Sequence, residues 1–306
     1  MMAKSEDVPA GVPEKRRSPM VAELRYALHL LSLNKLVVAG IVIALTLTIV
    51  AIIGPFIVPA STPVKLNIFN GTAATLGNAQ ISWAHPLGVD PLGRDVLDMI
   101  ILALGLDMGA AGIVVAVGII IGVMLGAFAG YVGGKLDETL MRITDIFLAL
   151  PLFIWALAIA AVLSRNINSL IFALATVSWP GYTRIIRGQV LVEKGKPYVE
   201  SLRALGVTRF RIIVRHVVPN SIFPLLVQAT LDIGGIILTI AALSFLGLAL
   251  GPFTPELGRM VSDGQAYINT NAWLITFPGL AIVLVSLSFN LVGDGLRDVL
   301  DPRLRR

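Results

Sequence analysis

Residues 199–220 read VESLRALGVTRFRIIVRHVVPN. They lie between two long apolar runs, yet the stretch is basic, carries a glycine near its middle and closes on Pro219-Asn220. Pro197, just ahead, suits the first turn of a short helix, and Val199, Leu202 and Leu205 share one face at helical spacing. Gly206 stands where a helix ends. Thr208 is placed to cap a second helix. On that helix Phe210, Ile213, Val214 and Val217 form an apolar stripe, Arg209, Arg211 and Arg215 point elsewhere, and Pro219 is expected to end it. The stretch reads as a helix–turn–helix elbow at a membrane surface. Such an elbow either lies on lipid or acts as a stiff knob that fits a partner's groove and carries its motion into the flanking spans.

The membrane follows from composition. Of 306 residues, 56% are apolar and 14% charged, and mean hydropathy is +0.84; soluble domains run nearer a quarter charged. Six runs are long enough to cross a bilayer, which takes about 20 helical residues: roughly 36–58, 108–131, 143–163, 170–186, 222–248 and 273–292. Lys65, Arg94, Arg165 and Arg259 fall on one side of these runs and the other 20 of the 24 Lys and Arg on the opposite side. The positive side is cytoplasmic, so both termini and the elbow are expected there. The same bias accounts for the pI near 9.7 without nucleic acid. The chain divides into a loose cytoplasmic tail (1–24), an N-terminal segment with the first membrane helix (25–59), an extracellular segment (60–106) and a five-helix core (107–306). There is no cysteine, which removes disulfides and thiolate chemistry. No His cluster, Ser/His pair or carboxylate pair converges at one depth, so no enzyme is expected. Gly118, Gly122, Gly126 and Gly130 recur every fourth residue. Such a stripe lets a backbone approach closely, either within this chain or in a second membrane subunit.

The elbow resembles the coupling-helix motif of ABC importer permeases, with Glu200, Gly206 and Pro219 at its Glu, Gly and Pro positions and Ser201 and Leu202 in place of its two alanines. HPLGVDPLGRDVL (85–97), AGYVGGKLDETLMRITDIFLALP (129–151), WPGYTRIIRGQVL (179–191), SFLGL (244–248) and FPGLAIVLVSLSFNLVGDGLRDVLDPRLR (277–305) extend the resemblance to the second permease subunit of the dipeptide/oligopeptide/nickel class. Residues 60–82 match no pattern of that class. The resemblance implies an all-α, six-span type I importer permease in the cell membrane. Its expected partners are a second homologous permease, two ABC ATPases that grip the elbows, and an external substrate-binding protein. Peptides are its default cargo; oligosaccharides and nickel chelates are alternatives. ATP and Mg belong to the ATPases, and no G-x-x-x-x-G-K-[ST] loop occurs here, so no cofactor is expected on this chain.

Glu200, Arg203, Ala204, Leu205, Gly206 and Phe210 are the candidate ATPase-coupling residues. Glu200 either meets the ATPase or pairs locally with Arg203 or Lys196; Gly206 permits the turn. Asp232 lies mid-way along the fifth run, where a charge costs about 2.5–3.5 kcal/mol on insertion scales. It either lines the path, favouring a cationic or polar group on the cargo, or bonds to another span. A self-contained secondary transporter would need more such groups and internal repeats. Asp107 is expected to be solvated at an external helix end. His29, His85 and His216 stand alone, so no metal site is expected.

Overall fold

The computed structural model describes residues 31, 34–58, 81, 83, 85–91, 93–248, 250–251 and 254–300. The tail 1–24, most of segment 60–82 and the C-terminal arginines lie outside them. Helix α1 (Lys35–Ile57) is capped by Asn34, whose Oδ1 accepts from the Leu36 amide at 3.1 Å. Helix α2 (Val96–Val132) has 37 residues and starts where Asp95 accepts from the Leu97 and Asp98 amides. At about 1.5 Å per residue it is some 55 Å long, well beyond a bilayer core of about 30 Å. It therefore runs across the expected 106/107 boundary. Apolarity located only its membrane part; the cap at Asp95 sets its true start.

The expected span 143–163 is not one straight helix. It is shared between α3 (Gly134–Leu148) and α4 (Leu152–Val162), which meet at 79°. Pro151 disfavours helical backbone in the residue before it, and the Trp155 Nε1–H donates across the bend to the Phe147 carbonyl at 3.0 Å. Helix α5 (Ile167–Glu193) follows. The elbow comprises α6 (Pro197–Ala204), α7 (Arg209–Ile212), a π-helical turn (Ile213–Val217) and α8 (Val218–Ser221). Then come α9 (Phe223–Phe245), α10 (Leu257–Gly264), a 3-10 turn (Gln265–Tyr267) and α11 (Trp273–Leu300). Among the described residues β pairing is confined to a single bridge, Val89 to Asp95. Four helices (α1, α2, α9 and α11) are each long and apolar enough to cross a membrane, and the bent α3–α4 pair makes a fifth if it is one span. Helix α5 has the length, 27 residues, but its Asn, Ser, Gly, Tyr and Arg residues lower its hydropathy.

The glycine stripe packs inside this chain. A Cβ on Gly118 would lie 2.7 Å from Ser178 Oγ, on Gly122 2.5 Å from Tyr182 Cβ, on Gly126 2.3 Å from the Thr183 carbonyl, and on Gly130 3.0 Å from the Arg187 carbonyl. The contacts advance together along both helices, so α2 and α5 run parallel with backbones in near contact. The bent pair α3–α4 brings the chain back between them. Helices α9 and α11 pack antiparallel, with Gly234 on Ser286 and Gly293 on Leu231. Gly295 packs on Val37 and Gly40 on Leu291. The start of α1 and the end of α11 therefore lie at the elbow's end of the bundle.

Candidate functional site

The elbow is fixed at its back and bare at its front. Val199, Ile212 and Val217 are fully buried and Ile213 nearly so. Full burial of each such side chain stabilises by about 1.5–3 kcal/mol. The inward face is therefore Val199, Leu202, Ile212, Ile213 and Val217. Leu205 and Phe210, expected on it, are instead 79% and 71% exposed, and Val214 is also exposed. The turn explains the difference. Gly206 has φ +76°, its amide donates to the Arg203 carbonyl at 3.0 Å, and the Val207 amide donates to the Leu202 carbonyl at 3.1 Å. This Schellman closure rotates Leu205 outward. Thr208 holds the N-cap position through its backbone alone, with no side-chain cap bond. Pro219 does not end the helix. It occupies the first turn of α8, where a missing amide costs little, and the chain breaks at Ile222.

Glu200 has neither of its expected local partners. Lys196 pairs with Glu193 at 2.5 Å. Arg203 stacks over the Tyr131 ring, 5.1 Å from its centroid, and donates to its hydroxyl at 3.2 Å. Glu200 is exposed and, among the described residues, forms no ion pair. Ala204 is exposed beside it. Glu193 was not singled out in the sequence. It is buried, accepts from the Tyr198 hydroxyl at 2.7 Å, and thereby joins α5 to α6. Its bond to Lys196 holds the lysine's pKa above its ordinary value. Lys194 Nζ donates to the Gly130 carbonyl at 2.6 Å, tying the end of α5 to the end of α2. The elbow is thus braced against α2 and α5 and continues into α9.

Asp232 lines a cavity of about 690 Å³ between α3, α4, α5 and α9, with Gln189, Gln228, Ser178 and Arg184 as its other polar groups. Gln228 Nε2 donates to Asp232 Oδ1 at 2.8 Å from the same helix. Tyr182 is buried beside Asp232, with its hydroxyl within electrostatic reach of the carboxylate. Arg184 is committed to Asp145, and Arg187 grips Asp137 through two bonds of 2.5 and 2.7 Å. Asp232 therefore has no cation of its own among the described residues. Gly181 and Gly188 also line this cavity, and a Cβ on either would meet nothing within 4 Å. Spacing alone did not distinguish these open glycines from the packed ones.

At the other end of the bundle residues 85–91 and 93–97 form a knot on the start of α2. Gly88 and Gly93 both have φ +79°, His85 meets Asp95 at 2.7 Å, and Asp90 holds Arg94 at 2.5 Å. Asp107 is not solvated. It is 1% exposed and accepts from the Leu257 amide at 3.1 Å, because α10 folds over the outer part of α2. The described residues contain no group of three or more metal-ligating side chains.

Residues 122–306 match the family described as binding-protein-dependent transport system inner membrane components. The chain belongs to this family. The permease is 36% identical over 276 residues to the dipeptide transport system permease protein DppC of Haemophilus influenzae, covering 89% of this chain and 92% of that one. It is 36% identical over 297 residues to the DppC of Alkalihalophilus pseudofirmus, covering 97% and 95%. It is 41% identical over 224 residues to the glutathione transport system permease protein GsiD of Pectobacterium atrosepticum, covering 73% and 74%. Its fold is similar to that in an inward-facing structure of the MetNI methionine ABC transporter, with a TM-score of 0.53 and 21% identity, covering 66% of this chain and 97% of that one. The permease is therefore a multi-pass cell-membrane subunit of an ABC importer, as the motifs implied. Membership implies ATPase and substrate-binding partners.

Proposed function

We propose that this permease forms half of the translocation path of an ATP-driven importer of di- and oligopeptides. A second homologous permease supplies the other half. Two ABC ATPases carry the ATP and Mg, and an external binding protein delivers the cargo. The chain binds no cofactor and catalyses no reaction. It crosses the membrane six times, α5 and the α3–α4 pair included, with both termini cytoplasmic. The cavity carrying Asp232 is part of the path; its volume falls in the usual range for small-ligand sites, about 300–1,000 Å³.

The observation that carries this reading is the elbow's bare front. Leu205 and Phe210 project apolar surface beside an unpaired Glu200, while Arg203 and the buried back hold the same segment rigid. Apolar anchors on a rigid base suit a groove on a partner. Motion imposed there reaches α9, and hence Asp232, through α8. Peptide cargo is supported by the dipeptide permeases among the relatives.

The test is purification of the importer from its native membrane with the wild-type chain and with a Leu205→Asp/Phe210→Asp variant. Wild type should retain both ATPases and a second permease. The variant should insert normally and lose the ATPases. ATPase retention by the variant would sink the docking assignment. Mass spectrometry of the ligand in the co-purified binding protein should show peptide; a sugar or a nickel chelate there would replace the substrate class.

A further inference from the structure

Two acids meet at the end of the bundle opposite the elbow, in a place the proposed path does not use. Asp107 on α2 is 1% exposed and Glu256, just ahead of α10, is fully buried. Asp107 Oδ2 accepts from the Leu257 amide at 3.1 Å, whereas Oδ1 is buried without a partner. Glu256 directs both oxygens at the first turn of α10, accepting from the Gly258 amide at 2.9 Å and the Arg259 amide at 2.7 Å. The two carboxylates lie within each other's field. Ser244 of α9 lies beside Glu256, fully buried, its hydroxyl closing no hydrogen bond of good geometry. Arg259 is the cation that acts on Glu256, and it also holds Asp263 at 2.8 Å. Helix α1 carries Lys35 at its far end and no other titratable group, and the outer half of α11 carries none. Burial keeps the Glu256 carboxyl above the ordinary carboxylate range, against the pull of its hydrogen bonds and of Arg259.

Asp107 thus faces a second buried carboxylate and no cation acts on it, and a buried uncompensated charge is costly. One proton removes that charge and supplies the partner that Asp107 Oδ1 lacks. We propose that Asp107 and Glu256 form a proton-binding site that fastens α10 to α2. With the proton on Asp107 Oδ1, the Leu257 amide still donates to Oδ2, and the buried oxygen that had no donor no longer carries charge. When the proton leaves, two anions face each other in a closed space and α10 is pushed from α2. The seat admits little slack: a Cβ on Gly258 would lie 2.3 Å from the Ala241 carbonyl of α9. The folded site binds the proton more tightly than the unfolded chain does. The fastening is therefore complete at low pH and is lost as pH rises through the raised folded value.

Amide hydrogen exchange across 257–264, on the full chain with its co-purified partners in lipid nanodiscs, tests the site. Wild type and Asp107→Asn are compared at each pH, so that intrinsic exchange rates cancel. The amide side chain of Asp107→Asn keeps the acceptor for Leu257 and carries no charge at any pH, mimicking the protonated site. Protection of wild type relative to Asp107→Asn should fall at least about tenfold between about pH 6 and about pH 9. Glu256→Gln, which removes the same charge from the other side, should also be flat with pH. Parallel pH profiles in wild type and both variants would overturn the proposal. So would protection that follows sodium concentration at fixed pH, since the site would then hold a metal ion.

Discussion

At the residue scale, the positions that matter are those whose surroundings leave one option. Gly206 sits at φ +76°, where a side chain costs about 1–2 kcal/mol. Gly206→Ala should leave insertion intact but misdirect Leu205. The expected outcome is a fall of about tenfold or more in the peptide transported per ATP hydrolysed, a loss equivalent to about 1.4 kcal/mol of coupling. Asp232→Asn removes the cavity's unpaired acid while keeping the bond with Gln228. Transport of cationic peptides should drop more than that of neutral ones, with the ATPase still stimulated by loaded binding protein; equal rates for both cargo classes would remove Asp232 from the path. The turn at Gly206 was legible in the sequence because a glycine just past a helix end signals it, whereas Pro219, read as a helix end, begins α8. Asp107 was misread because its partner, Leu257, lies 150 residues away. No local pattern distinguishes an acid at a helix end in water from one under a folded-back helix.

At the element scale, the glycines of α2 and α5 divide by what faces them. Gly126 abuts the Thr183 carbonyl, so Gly126→Val should cost about 1–3 kcal/mol or more through overpacking, visible as an earlier unfolding transition in detergent. Gly181 and Gly188 face open cavity. Alanine there should stabilise α5 by about 0.5–1 kcal/mol each and slow the passage of the longest peptides, a stability gain joined to a transport loss. Helices α1, α9 and α11 were legible almost to the residue at their starts, because an uninterrupted apolar run defines a span. The bend at Pro151 and the outward extension of α2 were not. Membrane helices tolerate proline, so Pro151 alone did not announce a 79° turn. Likewise, the outer part of α2 is set by a cap rather than by apolarity.

At the scale of the whole molecule, ion pairs near the elbow hold α3 against α5. Asp137 and Arg187 are linked by two bonds across 50 residues of chain. Asp137→Ala should destabilise the bundle by about 1–3 kcal/mol, since it leaves a partly buried guanidinium without its acceptor; Asp137→Ala/Arg187→Leu should recover part of that loss in the same unfolding assay. The overall class was legible from composition and charge bias, which need no tertiary information. The cavity, the brace through Tyr131 and the fastening of α10 were not, because each joins groups that the sequence keeps far apart.

The parallel pairing of α2 with α5 also bears on how the chain is made. Ser178 reaches Val114 across 64 residues. At roughly 5–20 residues per second of synthesis, the glycine face of α2 waits roughly 3–13 s for its match. During that interval a newly inserted α2 presents a smooth, close-approach surface to any neighbouring helix in the bilayer. Biogenesis therefore favours a chaperoned insertion site that shelters α2 until α5 emerges, and truncation before α5 should leave a nascent chain prone to wrong pairing and proteolysis.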